Sequence, residues 1–512
     1  MFLVALAAVR IVSTYTEMGI TWDEPTHVAS GLQYLANHVL LASEHPPLAR
    51  MMAALAPYLS GVHPPPPHPV ALDGVEIIYQ GGHPARNLVL IRLGILPFFL
   101  LAALSVFLWA KRHFDNIVAS IATALFTMLP AVLAHAGLAT TDMALTGCLI
   151  AAFFSLLVWA EQPGLQPSVL LGLTTGLAVI SKFTALGFFP VAAVSTLILY
   201  LAVERPSRTR LLMLARKRMP PFLLAVLVGA VVIWAAYLFS FDRIPAPQLF
   251  AAIGTALSHQ STGHVGYLLG DRSASGWWYY FPIVLAVKTP IGFLLLLILG
   301  TGVCWYNRSK LSYGIPLAFS LGILISAMTS HVNIGVRHIL PMYAGFSIVA
   351  ALGLAKLLRW AAAGKLWPGA LAAAVILWIA ASTTLQHPNY LAYFNEIAGE
   401  HPEQVLVDSD LDWGQDTVRL ARRLRQLGVD HVSFETLNLN SENLERWPGL
   451  PPSGDIDLDK PLANWTVVSP SMLVLGLYQH DRKVQNREPW FGRITPVERV
   501  GALLLYYVPS GR

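Results

Sequence analysis

Two polar pairs near the start of the chain are the first candidates for chemistry. Asp23 and Glu24 follow a first apolar segment, and Glu44 and His45 precede a Pro-Pro dipeptide. Proline and carboxylates both suit a helix start, so each pair is predicted to lie at a helix entrance. A partly desolvated carboxylate there can act as a general base, whereas a solvated one would only cap the helix. Charges beside a membrane span are costly, which favours a functional role.

The helix after the first pair is predicted to begin at Pro25, with Glu24 as its cap. Its apolar residues fall on one side at helical spacing, namely Val28, Leu32, Leu35 and Val39. This pattern is typical of an amphipathic helix that lies flat on a membrane surface. Asp23 and Glu24 would then stand at the mouth of that helix.

The sequence HPPLAR at 45–50 contains the second pair's histidine and a nearby arginine. Its prolines fix the backbone, so His45 and Arg50 become candidates for holding an anionic group near a helix start. The alternative is a proline-capped interfacial helix whose arginine reaches the lipid headgroups. Taken alone, these residues favour the alternative.

Four later residues carry charges suited to a site. Asp142 follows two threonines at a predicted span end, where a capping carboxylate is expected. Lys182 lies between two spans, where a cation can face an anion. Arg337 and His338 form a cationic turn, and the planar fork of arginine suits phosphate because it can bind two oxygens at once. Pairing with a helix end or with lipid is the alternative for Arg337.

Tyr267 precedes the aromatic run WWYY at 277–280 in a long loop. Such residues usually form an aromatic belt at the membrane interface, and that is the default interpretation. Beside Asp271 and Arg272, these rings could also stack on a sugar.

The run VDSDLDWGQD at 407–416 superficially resembles a calcium loop. Its sixth position is Trp413 instead of glycine and its twelfth is Arg419 instead of glutamate, so the EF-hand pattern fails. We favour a turn that caps a helix predicted at 413–427. The metal requirement is open, because no ligand spacing in the chain compels a divalent cation.

Composition identifies an integral membrane protein. Of the 512 residues 55% are hydrophobic and 12% are charged, whereas soluble domains carry about 25% charged residues. Nothing in this composition favours a nucleic-acid partner.

Eleven apolar stretches are predicted as membrane spans, of which the fifth is short and is barely separated from the sixth by Ser181-Lys182-Phe183. They are 2–19, 88–109, 116–134, 141–160, 168–181, 184–203, 221–240, 281–305, 313–330, 338–357 and 367–384. Basic residues fall on alternate loops, for example at Lys111-Arg112, and the positive-inside rule makes those loops cytoplasmic. The opposite face receives the loop 20–87, the turn 135–142, Lys182, the loop 242–280, the turn 331–338 and everything after 386.

From about residue 387 the composition becomes that of a soluble domain. Strand-like runs at 431–439, 464–472 and 502–509 accompany the predicted helix at 413–427. The predicted fold is therefore an all-α polytopic membrane protein of about eleven spans, residues 1–386. A small extracytoplasmic α/β domain, residues 387–512, follows it.

Together these motifs resemble the GT-C type membrane glycosyltransferases of the protein O-mannosyltransferase and aminoarabinose-transferase superfamily. The resemblance rests on Asp23-Glu24 after the first span, HPPL with a following arginine, SKFTAL around Lys182, YLLGDRSASGWWYYFP and NIGVRHILPMY. The later motifs, with Thr141-Asp142, resemble signatures of the bacterial branch, which is labelled phospholipid-carrier-dependent glycosyltransferase. The tail from HPNYLAYFNEIAG to LVDSDLDWGQD is similar to the soluble end of one subgroup. The order of the motifs and their shared membrane face make the set specific.

The resemblance implies inverting transfer of a sugar from a polyprenyl-phosphate carrier in the bacterial inner membrane. Asp23 would deprotonate the acceptor with Glu24 assisting or orienting it, and Glu44 and His45 would line the donor site. The residues implied for the lipid-linked phosphate are Arg50, Lys182 and Arg337, and Asp142, Tyr267 and His338 complete the predicted substrate site. The acceptor stays open among lipid, polysaccharide and protein. A protein acceptor is in doubt, because the additional acceptor-recognition domain of the O-mannosyltransferases is missing from the loops of this chain.

Two alternatives belong to other functional classes. A lipid-linked sugar transporter or flippase would require charges deep within spans and inverted repeats, whereas the notable charges here cluster at one surface. A non-catalytic assembly protein would use its carboxyl-terminal domain to bind a partner.

Overall fold

The computed structural model describes residues 2–41, 44–65, 70–435, 447–454, 456–457, 460, 464–475 and 490–509. Helices dominate the part before residue 387. In chain order these helices are α1 (Phe2–Thr14), α2 (Glu24–Asn37), α3 (Pro47–Leu59), α4 (Val70–Tyr79), α5 (Pro84–Leu93), α6 (Leu96–His113), α7 (Asn116–Thr127), α8 (Pro130–Ala136), α9 (Thr141–Glu161), α10 (Leu165–Ser181), α11 (Ala185–Glu204), α12 (Arg208–Ala236), α13 (Pro247–Thr262), α14 (Tyr280–Lys288), α15 (Ile291–Tyr306), α16 (Leu311–Ala327), α17 (Tyr343–Ala362) and α18 (Leu366–Leu385). A 3-10 helix, Val336–Met342, leads into α17.

Six helical stretches of the described chain are long and apolar enough to cross a membrane. They are Pro84–His113, Thr141–Glu161, Ala185–Glu204, Arg208–Ala236, Val336–Ala362 and Leu366–Leu385. Two bent pairs, α7 with α8 (66°) and α14 with α15 (114°), raise the number to eight if each pair is one span. The shorter apolar helices α1, α10 and α16 coincide with the three remaining predicted spans. The polytopic helical class is thus confirmed, and the count of eleven stays a prediction.

The α2 helix differs from the predicted surface helix. It begins at Glu24, one residue earlier than expected, and Asp23 occupies the N-cap position without a side-chain cap bond. Both of its faces are buried, because α3 and α4 pack against it. A Cβ on Gly31 would lie 2.0 Å from the Arg50 carbonyl oxygen, so glycine permits the close approach of α2 to α3. The prediction that this helix lies flat on a membrane surface is therefore wrong, because protein covers both of its faces.

The carboxyl-terminal region contains a five-stranded mixed sheet. Two short hairpins come earlier in the chain, β1 (Phe241–Asp242) with β2 (Ile244–Pro245) and β3 (Gly266–Leu268) with β4 (Asp271–Ser273). The elements of the carboxyl-terminal region are α19 (Thr417–Gln426), β5 (Val432–Glu435), β6 (Ser453–Gly454), β7 (Asn464–Val468), α20 (Pro470–Leu475), β8 (Glu498–Val500) and β9 (Leu503–Val508). The strand order is β6-β5-β7-β9-β8. Antiparallel pairing places Thr466 of β7 opposite Tyr506 of β9. The predicted α/β character is confirmed, although residues 436–439 of the first strand-like run lie outside the described residues.

Between α18 and α19 the chain packs against the helices instead of joining the sheet. Tyr390, Leu391, Leu406 and Trp413 belong to the same hydrophobic core as α1 and α17. At the break between α14 and α15, Lys288 Nζ donates to the carbonyls of Leu391 and Asp410 at 2.8 and 2.6 Å. The segment from 387 to 416 is thus packed into the helical part. The proposed domain boundary at 386/387 stays a prediction.

Candidate active site

A cavity of about 590 Å³ lies between the first loop, the ends of several helices and the carboxyl-terminal region. Seven of the ten predicted site residues line it, namely Asp23, Glu44, His45, Arg50, Lys182, Arg337 and His338. Since these residues span more than three hundred positions of the sequence, only the fold brings them together. Their functional roles remain predictions.

Asp23 and Arg337 form an ion pair in the cavity wall. Arg337 Nη1 donates to Asp23 Oδ2 at 2.6 Å, and the Asp23 side chain is 25% exposed. Within the described part of the chain, nothing donates a hydrogen bond to the second carboxylate oxygen, Oδ1. Asp23 is thus oriented by one oxygen and presents the other to the cavity.

Lys182 and Asp142 form a second ion pair, in which Lys182 lines the cavity and Asp142 lies behind it. Lys182 Nζ lies 2.5 Å from Asp142 Oδ1, and Arg337 Nη1 lies 3.9 Å from Asp142 Oδ2. Asp142 itself does not line the cavity, although its neighbour Thr141 does. Two carboxylates and two cations therefore alternate across the site, with Arg337 between Asp23 and Asp142.

Two buried nitrogen atoms of the cavity wall lack partners among the described residues. They are Arg337 Nε and His338 Nε2. A buried polar atom without a partner costs about 1–3 kcal/mol. Arg337 Nε always carries a hydrogen, so a ligand oxygen would be a suitable partner for it.

Glu24 is fully buried and faces away from the cavity. It receives two hydrogen bonds from Arg92, both at 2.8 Å, and further ones from the backbone of Thr21 and Ala139. Burial alone would raise the pKa of Glu24, but the adjoining Arg92 charge outweighs it and holds that pKa below its ordinary value. With both oxygens occupied, Glu24 fits the predicted orienting role better than direct assistance at the acceptor, and its role stays a prediction. In the structure it anchors the Asp23 loop.

His27 and His45 hold Arg50 from two sides. Arg50 Nε donates to His27 Nδ1 at 3.3 Å and Arg50 Nη1 to the His45 carbonyl at 3.2 Å. Burial, and then the charge of Arg50, lower the pKa of His27 to about 4 and that of His45 well below its ordinary value. Both rings are therefore neutral at pH 7, and Arg50 supplies the positive charge of this corner.

The last two predicted residues have different outcomes. Glu44 is exposed at the cavity mouth. Tyr267, in β3, is buried in a separate apolar cluster with Val407 and Leu411 and does not line the cavity. The ring packs against the carboxyl-terminal region, beside the cavity residue Leu475, and the predicted contact of Tyr267 with substrate stays a prediction.

The carboxyl-terminal region adds residues that sequence reasoning missed. Asp408, Trp413 and Leu475 line the cavity. The Trp413 ring lies 4.3 Å from the Arg337 guanidinium. No local pattern marks these contacts, since they join segments that are far apart in sequence.

The acidic run 408–416 has mainly structural partners. Asp410 accepts a hydrogen bond from the Val336 backbone at 3.0 Å, and Asp416 pairs with Arg419 at 2.7 Å. Asp412 accepts from the Ser469 hydroxyl, and burial raises the pKa of Asp412 to about 6. The predicted helix cap at 413 is wrong, because α19 begins at Thr417 and Asp416 makes no side-chain cap bond.

Among the described residues, no group of three His, Cys, Asp or Glu side chains is arranged to hold a metal ion. Asp23 and Asp142 instead form ion pairs with Arg337 and Lys182, respectively. The chemistry that the site offers is therefore that of a carboxylate, two balanced cations and unsatisfied nitrogen atoms in a water-accessible cleft.

Comparison with known proteins places this geometry in a family context. Residues 1–253 match the family model described as dolichyl-phosphate-mannose-protein mannosyltransferase. No curated protein matches the chain. Among solved structures, ArnT from Cupriavidus metallidurans bound to undecaprenyl phosphate is similar over 98% of this chain and 97% of its own, with 14% identity and a TM-score of 0.53. The chain has the GT-C glycosyltransferase fold.

Two further structures share lower similarity with this GT-C chain. Apo ArnT from the same organism covers 84% of this chain and 72% of its own, with 16% identity and a TM-score of 0.49. The second is the archaeal oligosaccharyltransferase AglB from Archaeoglobus fulgidus, in complex with an inhibitory peptide and a dolichol-phosphate. The similarity covers 75% of this chain and 54% of AglB, with 14% identity and a TM-score of 0.49. The resemblance predicted from the motifs is confirmed by the family match and the fold. The family match and the ArnT-like fold together support a membrane glycosyltransferase.

Proposed function

We propose that this GT-C chain transfers a sugar, with inversion, from a polyprenyl-phosphate carrier to an acceptor on the extracytoplasmic face of the bacterial inner membrane. The single observation that carries the proposal is the ion-paired wall of the cavity. Asp23 presents one open oxygen, and Arg337 joins it to the Lys182–Asp142 pair. A base and cations are the two requirements of glycosyl transfer from a phosphate leaving group.

The reaction is a direct displacement at the anomeric carbon. The acceptor hydroxyl oxygen bonds to that carbon as its bond to the phosphate oxygen breaks. The acceptor proton passes to Asp23, and polyprenyl phosphate leaves with the electron pair. Lys182 and the unsatisfied Arg337 Nε stabilise the charge that develops on the phosphate, because fixed cations in a desolvated site act most strongly on a developing anion.

A smaller cavity of about 200 Å³ suits the start of the carrier tail. His45 and Arg50 line both cavities, so the smaller one adjoins the cationic corner. Its other residues are mainly apolar or aromatic and include Tyr34, Leu40, Leu41, Tyr237 and Ala251. An isoprenoid chain that continues from a phosphate at Arg50 would enter this groove.

Purified protein in a lipid bilayer, supplied with labelled sugars on a panel of polyprenyl-phosphate donors, tests the proposal. Membrane extract serves as the source of acceptors. Wild type should consume at least one donor, and Arg337→Ala should lower the rate about 100-fold or more. Arg86→Ala, at an exposed arginine of the first loop, is the matched control and should stay within about twofold of wild type. Failure of wild type to consume any donor would favour transport or assembly instead.

A further inference from the structure

The segment 409–415 holds two distant loops that carry the proposed machinery. On one side, the Trp22 amide donates to the Trp413 carbonyl at 3.1 Å, and the Gly19 amide donates to the Gln415 carbonyl at 2.7 Å. These bonds fix the backbone that leads directly into Asp23. The same segment therefore sets the position of the proposed base.

On its other side, the segment fixes the backbone before Arg337. Asp410 Oδ1 accepts the Val336 amide at 3.0 Å, and the Ser409 hydroxyl donates to the Ile334 carbonyl. Gly335 lies between these two bonds with φ +135°, and a Cβ there would lie 2.4 Å from Ser409 Oγ. Only glycine permits this approach without strain or a steric clash.

The Trp413 ring contacts the guanidinium of Arg337 itself. The ring centre lies 4.3 Å from Arg337 Cζ, and the Trp413 side chain is 3% exposed. Arg337 has two carboxylates within reach, Asp23 at 2.6 Å and Asp142 at 3.9 Å. An aromatic face below the guanidinium restricts it to one plane and adds cation–π attraction that is strongest when water is excluded.

We infer that Trp413 is a positioning residue for Arg337 and that the segment 409–415 makes the carboxyl-terminal region an integral part of the transfer site. The inference rests on the proposed function, because it assigns Arg337 to the donor phosphate. Trp413 holds the guanidinium where a phosphate oxygen can reach Nε while Nη1 stays on Asp23. Loss of the ring lets Arg337 move toward Asp142, and the phosphate then meets a partly neutralised cation.

Binding of radiolabelled undecaprenyl phosphate to the full-length protein in lipid bilayers tests this role without any need for transfer. Trp413→Leu should weaken binding about tenfold, whereas Trp413→Phe, which keeps an aromatic face, should stay within about threefold of wild type. Where transfer is measured, Trp413→Leu should raise the KM for the donor far more than the KM for the acceptor. A purely structural role would not separate the two constants or be rescued by phenylalanine.

Trp490→Leu is the matched control. Trp490 is another buried tryptophan of the carboxyl-terminal region, packed on Phe491 and Tyr506, and it does not line the cavity. The substitution Trp490→Leu should lower the melting temperature without changing the binding of undecaprenyl phosphate.

The outcomes separate this inference from the proposed function. Wild-type binding by Trp413→Leu, with binding lost in Arg337→Ala, would overturn the positioning role and leave the phosphate site in place. Equal losses in Trp413→Leu, Trp413→Phe and Trp490→Leu would overturn it as a general effect of instability. Failure of wild type to bind undecaprenyl phosphate would overturn both the inference and the donor assignment.

Discussion

The buried ion pair between Glu24 and Arg92 offers a sharp test of how the Asp23 loop is held. Both side chains have no solvent exposure. The guanidinium makes two hydrogen bonds to Glu24, and its others go to the carbonyls of Tyr15, Met18 and Gly19 at 3.2, 2.9 and 2.6 Å. Every N–H group of Arg92 is therefore used to join Glu24 to the end of α1.

Replacing Arg92 with methionine nearly keeps the side-chain volume, but it leaves the buried Glu24 carboxylate without an opposite charge and three carbonyls without this donor. Removal of one partner of a buried ion pair costs about 3–5 kcal/mol, and the carbonyl losses place Arg92→Met at the upper end of that range. The double variant Glu24→Gln with Arg92→Met removes the buried charge and should regain about half of the loss. The expected order of stability is wild type, then the double variant, then Arg92→Met.

Thermal unfolding of the purified protein in detergent measures this order. Arg112→Met is the matched control, because Arg112 lies in the same helical stretch and pairs with Glu161 at 2.6 Å in a part-exposed position. Such a surface pair contributes about 0–1 kcal/mol. The reasoning is refuted if Arg92→Met melts at the same temperature as Arg112→Met, or if the double variant is less stable than the single one.

Three further predictions follow from the charges of the site and of the acidic run. Folding lowers the pKa of His27 from 6.5 to about 4, so between these pH values the unfolded state binds a proton that the folded state does not. The free energy of unfolding should therefore fall by about 3 kcal/mol as pH falls from 6.5 to 4. The melting temperature of His27→Gln should depend less on pH across that range than that of wild type. Burial raises the pKa of Asp412 from 3.8 to about 6, so the ionised carboxylate destabilises the fold, and this cost is complete above pH 6. Asp412→Asn should therefore raise the free energy of unfolding by about 3 kcal/mol at pH 8 and change it little at pH 4. An unchanged melting temperature at pH 8 would contradict this. Lys182→Met should destabilise the fold, because it leaves Asp142 without the ammonium group that lies 2.5 Å away. Adding Asp142→Asn should restore the melting temperature but not donor consumption. Recovery of both would show that Lys182 has no role at the phosphate.

The elements near Asp23 show how far sequence reasoning reaches. The start of α3 at Pro47 and the polar pairs before α2 and α3 were predictable, because proline and carboxylates have local preferences at helix starts. Burial of both faces of α2 was not, since it depends on Gly31 meeting the Arg50 backbone from another helix. Periodicity describes one helix and contains no information about how many neighbours cover it.

The candidate site was predictable as a set of residues but not as pairs. The sequence places Asp23, Lys182 and Arg337 on one membrane face through the alternation of basic loops. The contacts of Arg337 with Asp23 and Trp413 depend on tertiary packing between segments hundreds of residues apart. Arg92 was within reach of sequence reasoning, because an arginine inside an apolar stretch requires a buried partner. The span predicted at 88–109 includes Arg92, but hydrophobic periodicity does not identify Glu24 as its partner.

The assignment of Asp23 as the base is tested most directly by release of polyprenyl phosphate in the presence of acceptor. Wild type should release one polyprenyl phosphate for each sugar transferred, and the product should have the anomeric configuration opposite to that of the donor. Asp23→Asn, which retains the shape but not the basicity of the carboxylate, should lower this release about 100-fold or more while still binding undecaprenyl phosphate. Asp242→Asn, at an exposed aspartate on the same face, should match wild type. Release at the wild-type rate by Asp23→Asn, or a product that retains the donor configuration, would contradict the account.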